Sequence, residues 1–369
     1  MLYDNLAVNE QGHLTVGGLD TVALAEEFGA PLYVLDEDKL RENCRTYVQA
    51  LRENMPEGSY PLFAGKALCF KGLYPVLNEE GMGADVVSPG EIYTALAGGF
   101  PAEKLYFHGN NKTDEDIAYA LDSHVGCFIV DNHQELARLD EAAGVRGIRQ
   151  RVLLRVTPGI DPHTLQAINT GRIDCQFGVP IETGQAARFV ADALGRKNLI
   201  VEGFHSHIGS QIFEAEPFCD AVDILLDFAQ AMRQAHGFVA ETLNLGGGFG
   251  VRYLESDPVV DIPGNIRALA EHLRQGQFQQ YDGIFLILDQ EDIYTGETLE
   301  LPETLCVRLR FRGSHAEAPA QYQKLLDYID KHKMQIVGFS REVTLIDYGL
   351  TNDTEKFVTE ICIPVTEEE

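Results

Sequence analysis

From Tyr60 to about residue 276 the chain repeats one unit, a short apolar run ending in Gly, Asn, Ser or Asp, followed by an amphipathic helical stretch. The apolar runs are "YPLFAGKAL", "GADVVS", "KLYFHGN", "CFIVDN", "RVLLRVTP", "IVEGFHSHIGS" and "TLNLGGGFG", with helical stretches such as "PGEIYTALAGGF" and "DEDIAYALDS" between them. Strands that alternate with helices run parallel, because each crossover carries the chain back to the same end of the sheet. Seven such units without a topological switch predict an α/β fold of the (β/α)8 TIM type rather than an open doubly wound sheet. The polar residues gather at the strand C-termini, the rim on which such barrels build their sites.

A barrel needs an eighth strand to close its hydrogen bonding. After the helix "IPGNIRALAEHLRQ" the next β-like run is "GIFLILDQ", residues 283–290. Beyond it "TLCVRLRFR", "QIVGFSREVTLIDY" and "KFVTEICIPV" read as strands and "APAQYQKLLDYIDKHK" as a helix. These strands alternate polar and apolar residues, the mark of a one-sided antiparallel sheet. The expectation is therefore a barrel over residues 1–276, either closed by 283–290 as its eighth strand or left incomplete there, followed by a small α+β domain over 277–369. Ahead of the barrel, "LYDNLAVNEQGHLTVGG" reads as two short strands around a polar turn. A helix then starts at the N-cap Asp20 and stops at Gly29 and Pro31.

Composition narrows the function classes. The net charge of −28, from 57 acidic against 29 basic residues, repels phosphate backbones and anionic bilayers, which argues against nucleic-acid and membrane partners. No apolar run is long enough to span a bilayer, and "MLYDNLAVNEQGH" lacks the features of a secretory signal. The seven cysteines stand singly, with no CxxC pair. That pattern suits free thiols in a cytoplasmic protein better than a disulfide framework or a zinc site.

Three segments carry chemistry. Lys66 lies at the end of the first barrel strand; partial desolvation there would lower its pKa and make the amine a nucleophile toward an aldehyde, the alternative being a surface lysine just past the strand. In "GFHSHIGSQ" His205 and His207 alternate along a strand, so both face one side. Such a pair can ligate metal, stack on a planar group or simply pack; no carboxylate or cysteine stands at a matching local spacing for metal. Gly209 and Ser210 follow, a turn with a hydroxyl suited to phosphate. The run Gly246-Gly247-Gly248 ends the seventh strand, where consecutive glycines let backbone N–H groups close on an anion. Together these features fit a phosphorylated, aldehyde-bearing planar cofactor, and pyridoxal 5'-phosphate matches each part.

At this point a family resemblance covers residues 1 to about 276. The segments "FAGKAL", "GADVVSPGEI", "FHGNNKT", "LLRVTPGIDPHT", "TGRIDCQFGVP", "HSHIGSQI" and "LNLGGGFGV" resemble, in this order, bacterial diaminopimelate decarboxylases of the alanine-racemase-like fold group. The resemblance implies Lys66 as the lysine that holds the cofactor, with Asp85 and Glu91 supporting the site. It also implies His207 stacked on the pyridine ring, and Ser210 with Gly246, Gly247 and Gly248 at the phosphate. Arg155 would lie on the cofactor side of the fifth strand. The implied reaction converts meso-diaminopimelate to L-lysine, and the implied assembly is a homodimer. Cys175-Gln176 stands where most members have Ser-Lys. The family's eighth strand ends in a Glu-Pro-Gly-Arg motif that pairs with the pyridine nitrogen, and a following β domain carries a Cys-Glu-Ser segment. Neither motif occurs in these 369 residues, so the expectation is retained cofactor binding with weak or absent turnover.

Residues from about 278 to 366 resemble instead the latter half of the GyrI-like effector-binding domain of multidrug-sensing regulators. The carrying segments are "YDGIFLILDQEDIYTGETLELPE", "RFRGSHAEAPAQYQKLLDYI" and "GFSREVTLIDYGLTNDTEKFVTEICIPV". In that family a buried glutamate pairs with cationic drugs, and Glu342 occupies the matching position; the alternative is a solvated strand carboxylate.

Overall fold

At the N-terminus β1 (Leu6–Val8), β2 (Leu14–Val16) and β3 (Leu19–Asp20) form an antiparallel sheet, one strand more than the two expected. Asp20 caps α1 (Thr21–Phe28) as predicted, its Oδ1 accepting from the Val22 N–H at 2.8 Å, and Gly29 ends the helix at φ +84°. Sequence reasoning did not single out α2 (Glu37–Asn54), capped by Asp36. The computed structural model describes residues 3–160, 175–276, 304–313, 317–346 and 356–367. The chain divides into two units, Met1–Ala270 and Glu271–Glu369.

In the first unit the predicted rhythm is present. The strands are β4 (Leu62–Ala64), β5 (Gly83–Val86), β6 (Leu105–Phe107), β7 (Cys127–Val130), β8 (Gln150–Thr157), the short β9 (Val179–Pro180), β10 (Leu199–His205) and β11 (Thr242–Asn244). Helices α3 (Leu73–Glu79), α4 (Pro89–Ala97), α5 (Asp114–Asp122), α6 (His133–Val145), α7 (Gln185–Leu194) and α8 (Glu216–His236) alternate with them, and α9 (Ile262–Gly276) follows β11. The strands pair in parallel in the order β4-β5-β6-β7-β8-β10-β11, with β9 on the end of β8. Among the described residues β4 and β11 are the two ends of this ladder. The candidate eighth strand, 283–290, lies outside the described residues.

Period-two alternation divides the sheet into two faces. Val86, Phe107, Phe128, Leu154 and Phe204 pack outward against Leu77, Ile92, Leu136, Phe189 and Leu225 of the helices. Tyr106, Cys127, Ile129 and Leu153 form a smaller inner cluster with Leu62. In β10 the register against β8 slips between Val201 and Gly203, a bulge that leaves Glu202 unmatched. The slip matters because it turns Phe204 to the helix side and aligns His205 with Arg155 on the inside. Gly203, at φ +155°, permits it: a Cβ there would lie 2.0 Å from the Thr242 carbonyl oxygen.

In the second unit β12 (Cys306–Arg312), β13 (Met334–Ile336) and β14 (Arg341–Ile346) all pair antiparallel with β15 (Val358–Glu367). The single strand expected over 335–348 is thus two strands, broken around Gly338 at φ +79°. The helix α10 (Ala318–Lys331) lays Ala318, Tyr322, Leu325 and Ile329 on Ile361, Ile363 and Val365 of β15. No helix among the described residues is long and apolar enough to cross a membrane.

Gly203→Ala will destabilise the first unit by about 3 kcal/mol in urea unfolding, because the bulge cannot close around a Cβ. Gly147→Ala, at φ +66° with nothing within 4 Å of the added methyl carbon, will lose only about 1 kcal/mol, the cost of the left-handed conformation.

Candidate functional site

The parallel ladder delivers the C-terminal ends of its strands to one rim, and the inward-facing positions there are polar. Just past β4, the 3-10 turn Gly65–Ala67 carries Lys66. A Cβ at Gly65 would sit 2.9 Å from both the Asp85 carbonyl oxygen and Glu91 Oε2, so only glycine lets this turn lie against β5. Lys66 is exposed, which corrects the expectation of a desolvated amine: the turn lifts the side chain clear of the inner cluster. Glu91, on the first turn of α4, accepts from the Val87 N–H at 2.9 Å, while its own N–H donates to the N-cap Ser88 at 3.3 Å. Burial pushes the Glu91 carboxyl up, opposed by the Val87 N–H and by the charge of Lys66.

Asp85 on β5 pairs with His108, just beyond β6, at 3.0 Å. The His108 ring meets His205 edge to face at 4.7 Å. His205 is 2% exposed and its Nδ1 has no hydrogen-bond partner. Burial, with the nearby charges of His108 and Arg155, holds it well below the ordinary imidazole value, so it is neutral. Arg155 stands opposite His205 in the ladder, over the Phe177 ring at 4.5 Å and 3.7 Å from Asp131 Oδ1. Burial lowers its pKa, countered by Asp131.

Behind this layer lies a buried ion pair. Lys112 Nζ donates to Glu135 Oε1 at 2.7 Å and to the carbonyls of Gly109 and Ile129 at 2.9 and 2.8 Å, using all three of its donors. Glu135 Oε2 accepts from the Asp131 N–H at 3.0 Å, which fixes the loop after β7.

The glycine run follows β11. Gly246, Gly247 and Gly248 take φ of +75°, +69° and +106°, and the Gly246 N–H donates to Asn244 Oδ1 at 2.9 Å. A Cβ on Gly246 would lie 2.4 Å from the Ser206 oxygen and 2.7 Å from His207 Cβ, and one on Gly248 would lie 2.0 Å from the Gly209 oxygen. The loop is therefore pressed onto the segment after β10, against the His207 ring. Burial, then the charges of Arg155 and Lys66, depress the His207 imidazole from 6.5 to about 4. Ser206 is 1% exposed and its Oγ has no hydrogen-bond partner.

Of the residues singled out from sequence, Lys66, Asp85, Glu91, Arg155, His207 and Gly246–Gly248 thus stand together on one rim. Ser210 sits half-buried in the bend just beyond them. His108, Asp131, Lys112, Glu135 and Ser206 escaped the sequence reading. The signal for the first two was position: each directly follows a barrel strand at the inward-facing phase. Glu342 belongs to the second unit. It stands opposite Ile361 of β15, on the face covered by α10, and its Oε1 is buried, so it is not a solvated carboxylate. Burial and the Glu342 carboxylate push the neighbouring Tyr322 phenol up to about 12, although its bond to Ser340, 3.1 Å, opposes this.

Comparison with known proteins matches residues 37–288 to the family described as "Pyridoxal-dependent decarboxylase, pyridoxal binding domain" and residues 267–366 to the "GyrI-like small molecule binding domain". Diaminopimelate decarboxylase of Bacillus subtilis is 39% identical over 267 residues, 72% of this chain and 61% of the relative. That of Halalkalibacterium halodurans is 40% identical over 272 residues, 73% of this chain and 62% of the relative. The crystal structure of diaminopimelate decarboxylase from M. jannaschii superposes with a TM-score of 0.66 at 32% identity, covering 75% of this chain and 63% of that one. The Helicobacter pylori enzyme complexed with L-lysine gives 0.62 at 28% identity, over 69% and 63%. The chain thus spans about three-fifths of the length of the curated relatives it matches.

The depressed His207 imidazole predicts an acid-labile rim. A group whose folded pKa lies below its unfolded value contributes stability above about 6.5 and loses it as pH falls toward 4. Wild type should lose about 3 kcal/mol more than His207→Gln between pH 7 and pH 4. Urea titrations across that range check it; equal losses in the two proteins would refute the assignment.

Proposed function

The chain belongs to the pyridoxal-dependent decarboxylases over residues 37–288, and on that premise we propose that it binds pyridoxal 5'-phosphate at this rim as a carbon–carbon lyase of the diaminopimelate type. The observation that carries the reading is the convergence of Lys66, Glu91, His207 and the Gly246–Gly248 loop on one set of strand ends. These residues fit the cofactor on physical grounds. Three successive glycines at positive φ make a tight loop that only glycine lets pack onto the segment after β10, and such a loop can offer backbone N–H groups to a phosphate. Ser210 adds a hydroxyl beside it. A neutral His207 presents a flat face to an aromatic ring without adding positive charge. The exposed Lys66 amine is accessible to an aldehyde, and Glu91 sits where it can steer that amine or hold its proton.

When bound, the pyridine ring of such a cofactor draws off the electrons of a bond broken at the substrate's α-carbon. The chain's own contribution is placement. Arg155 and Lys66 hold positive charge at the mouth of a strongly acidic protein and attract an anionic ligand. His205 and His108 meet edge to face between Arg155 and Asp85, both buried from solvent. We assign residues 1–276 to this barrel and 277–369 to a separate half-domain, in a cytoplasmic protein whose seven cysteines are free. The sequence holds no Glu-Pro-Gly-Arg segment, the motif whose carboxylate would meet the ring nitrogen. Turnover of meso-diaminopimelate is therefore weak or absent while cofactor binding persists.

Adding pyridoxal phosphate to the purified chain should produce a visible absorption band that Lys66→Ala abolishes; a wild-type chain with no band refutes the cofactor site. Lysine release from meso-diaminopimelate at rates of about 1 per second or more would refute the impaired turnover alone.

The second unit supports its own reading, binding of hydrophobic cations, through Glu342 beneath α10 and the GyrI-like match. Isothermal titration with a lipophilic cation such as tetraphenylphosphonium should give saturable heat that Glu342→Ala weakens about tenfold, about 1.4 kcal/mol. Absence of heat in the wild type counts against it.

A further inference from the structure

The face of the β12–β15 sheet away from α10 carries a cluster that neither family match explains. Cys306 lies opposite Pro364, and Cys362 lies opposite Arg308 and, on its other side, opposite Arg341. The two cysteines are thus diagonal neighbours on adjacent antiparallel strands and share one face. The Arg341 guanidinium reaches both sulfurs, Nη2 standing 3.6 Å from Cys362 Sγ and 4.0 Å from Cys306 Sγ. Both thiols are half-buried, unlike Cys44 and Cys127, which are buried in the first unit. Arg308 and Arg310 lie on the same face, each paired with Glu360. Burial and a hydrogen bond with the Cys306 thiol push the Cys362 thiol up, and Arg341 opposes this. The two sulfurs thus share one guanidinium across the β12–β15 pair.

We propose that Cys306 and Cys362 form a thiol oxidation site that closes to a reversible intrachain disulfide when the protein meets a hydroperoxide. A sulfur that ionises beside Arg341 attacks the peroxide O–O bond and keeps one oxygen as a sulfenic acid, while the other oxygen leaves, protonated, as water or alcohol. The second thiol then attacks the sulfenic sulfur; the S–O bond breaks and its hydroxyl departs with the thiol proton as water. Two thiols give up two electrons, and one peroxide takes them. Arg341 favours the attacking thiolate, and the proximity of the second sulfur favours closure over further oxidation.

Register sets the character of the bond. Diagonal partners across an antiparallel pair have Cα atoms about 7–8 Å apart, and an unstrained disulfide wants less than about 7 Å. Closure therefore draws β12 along β15 slightly and stores strain, which makes the bond easily reduced. The consequence is a redox-sensitive clamp between β12 and the central strand β15, on the face opposite Glu342.

The test uses the full chain, reduced, exposed to hydrogen peroxide, quenched, alkylated with N-ethylmaleimide and mapped by peptide mass. The expected result is concerted loss of alkylation at Cys306 and Cys362, with one cross-linked peptide lighter by two hydrogens, monomeric on a non-reducing gel and restored by dithiothreitol. In Cys362→Ser that peptide disappears and Cys306 proceeds to sulfinic acid. The proposal is overturned if wild-type Cys306 and Cys362 stay alkylatable, oxidise separately to sulfinic acids, or cross-link between chains. The wild-type map decides by itself should the variant fold poorly.

Discussion

The strands of the β4–β11 ladder all run in one direction, and the placement of the site follows from that. A parallel ladder hydrogen-bonds only if each connection crosses back over the sheet, so its C-terminal ends meet at one rim. Side-chain alternation then sorts what appears there. Below the rim Tyr106, Ile129 and Leu153 fill the interior. One step further along the same strands come His108, Asp131 and Arg155, at the same phase. The apolar layer is a floor, and the polar layer stands on it with less access to water than its composition would suggest.

Such a layer is stable only if its charges are matched, because an unpaired ion in a low-dielectric site is expensive. The structure meets this in two ways. Lys112 and Glu135 neutralise each other and spend their remaining hydrogen-bonding capacity on backbone groups, which anchors the loops after β6 and β7. His205 and His207 give up their charge altogether, since burial and the cations around them disfavour imidazolium. Lys66 and Arg155 place positive charge beside His207, against which the glycine loop packs. An anionic group with an aromatic ring is the ligand that such a surface favours.

The second unit applies period-two alternation to a different end. One face of its sheet lies under α10 and holds Glu342 of β14 against Tyr322, beside the apolar layer of β15. The other holds arginines, a glutamate and two thiols. The sheet thus separates a buried carboxylate on one face from a thiol pair on the other.

Much of this was legible in the residues. Alternating apolar runs and amphipathic stretches determined the parallel α/β architecture, because backbone hydrogen bonding leaves few other ways to bury such a pattern. Lys66 at a strand end, the glycine run and the family motifs marked the candidate site, and the alternation after residue 304 marked an antiparallel sheet. Other features depended on contacts between segments far apart in sequence. The bulge at Gly203 is one: unbroken alternation through β10 would point His205 toward the helices, and only the register against β8 reverses it. The pairing of Lys112 with Glu135, the exposure of Lys66 and the meeting of Cys306 with Cys362 are others. Local sequence determines period and propensity, whereas register, burial and the partner of a charge are settled only when distant strands are packed side by side.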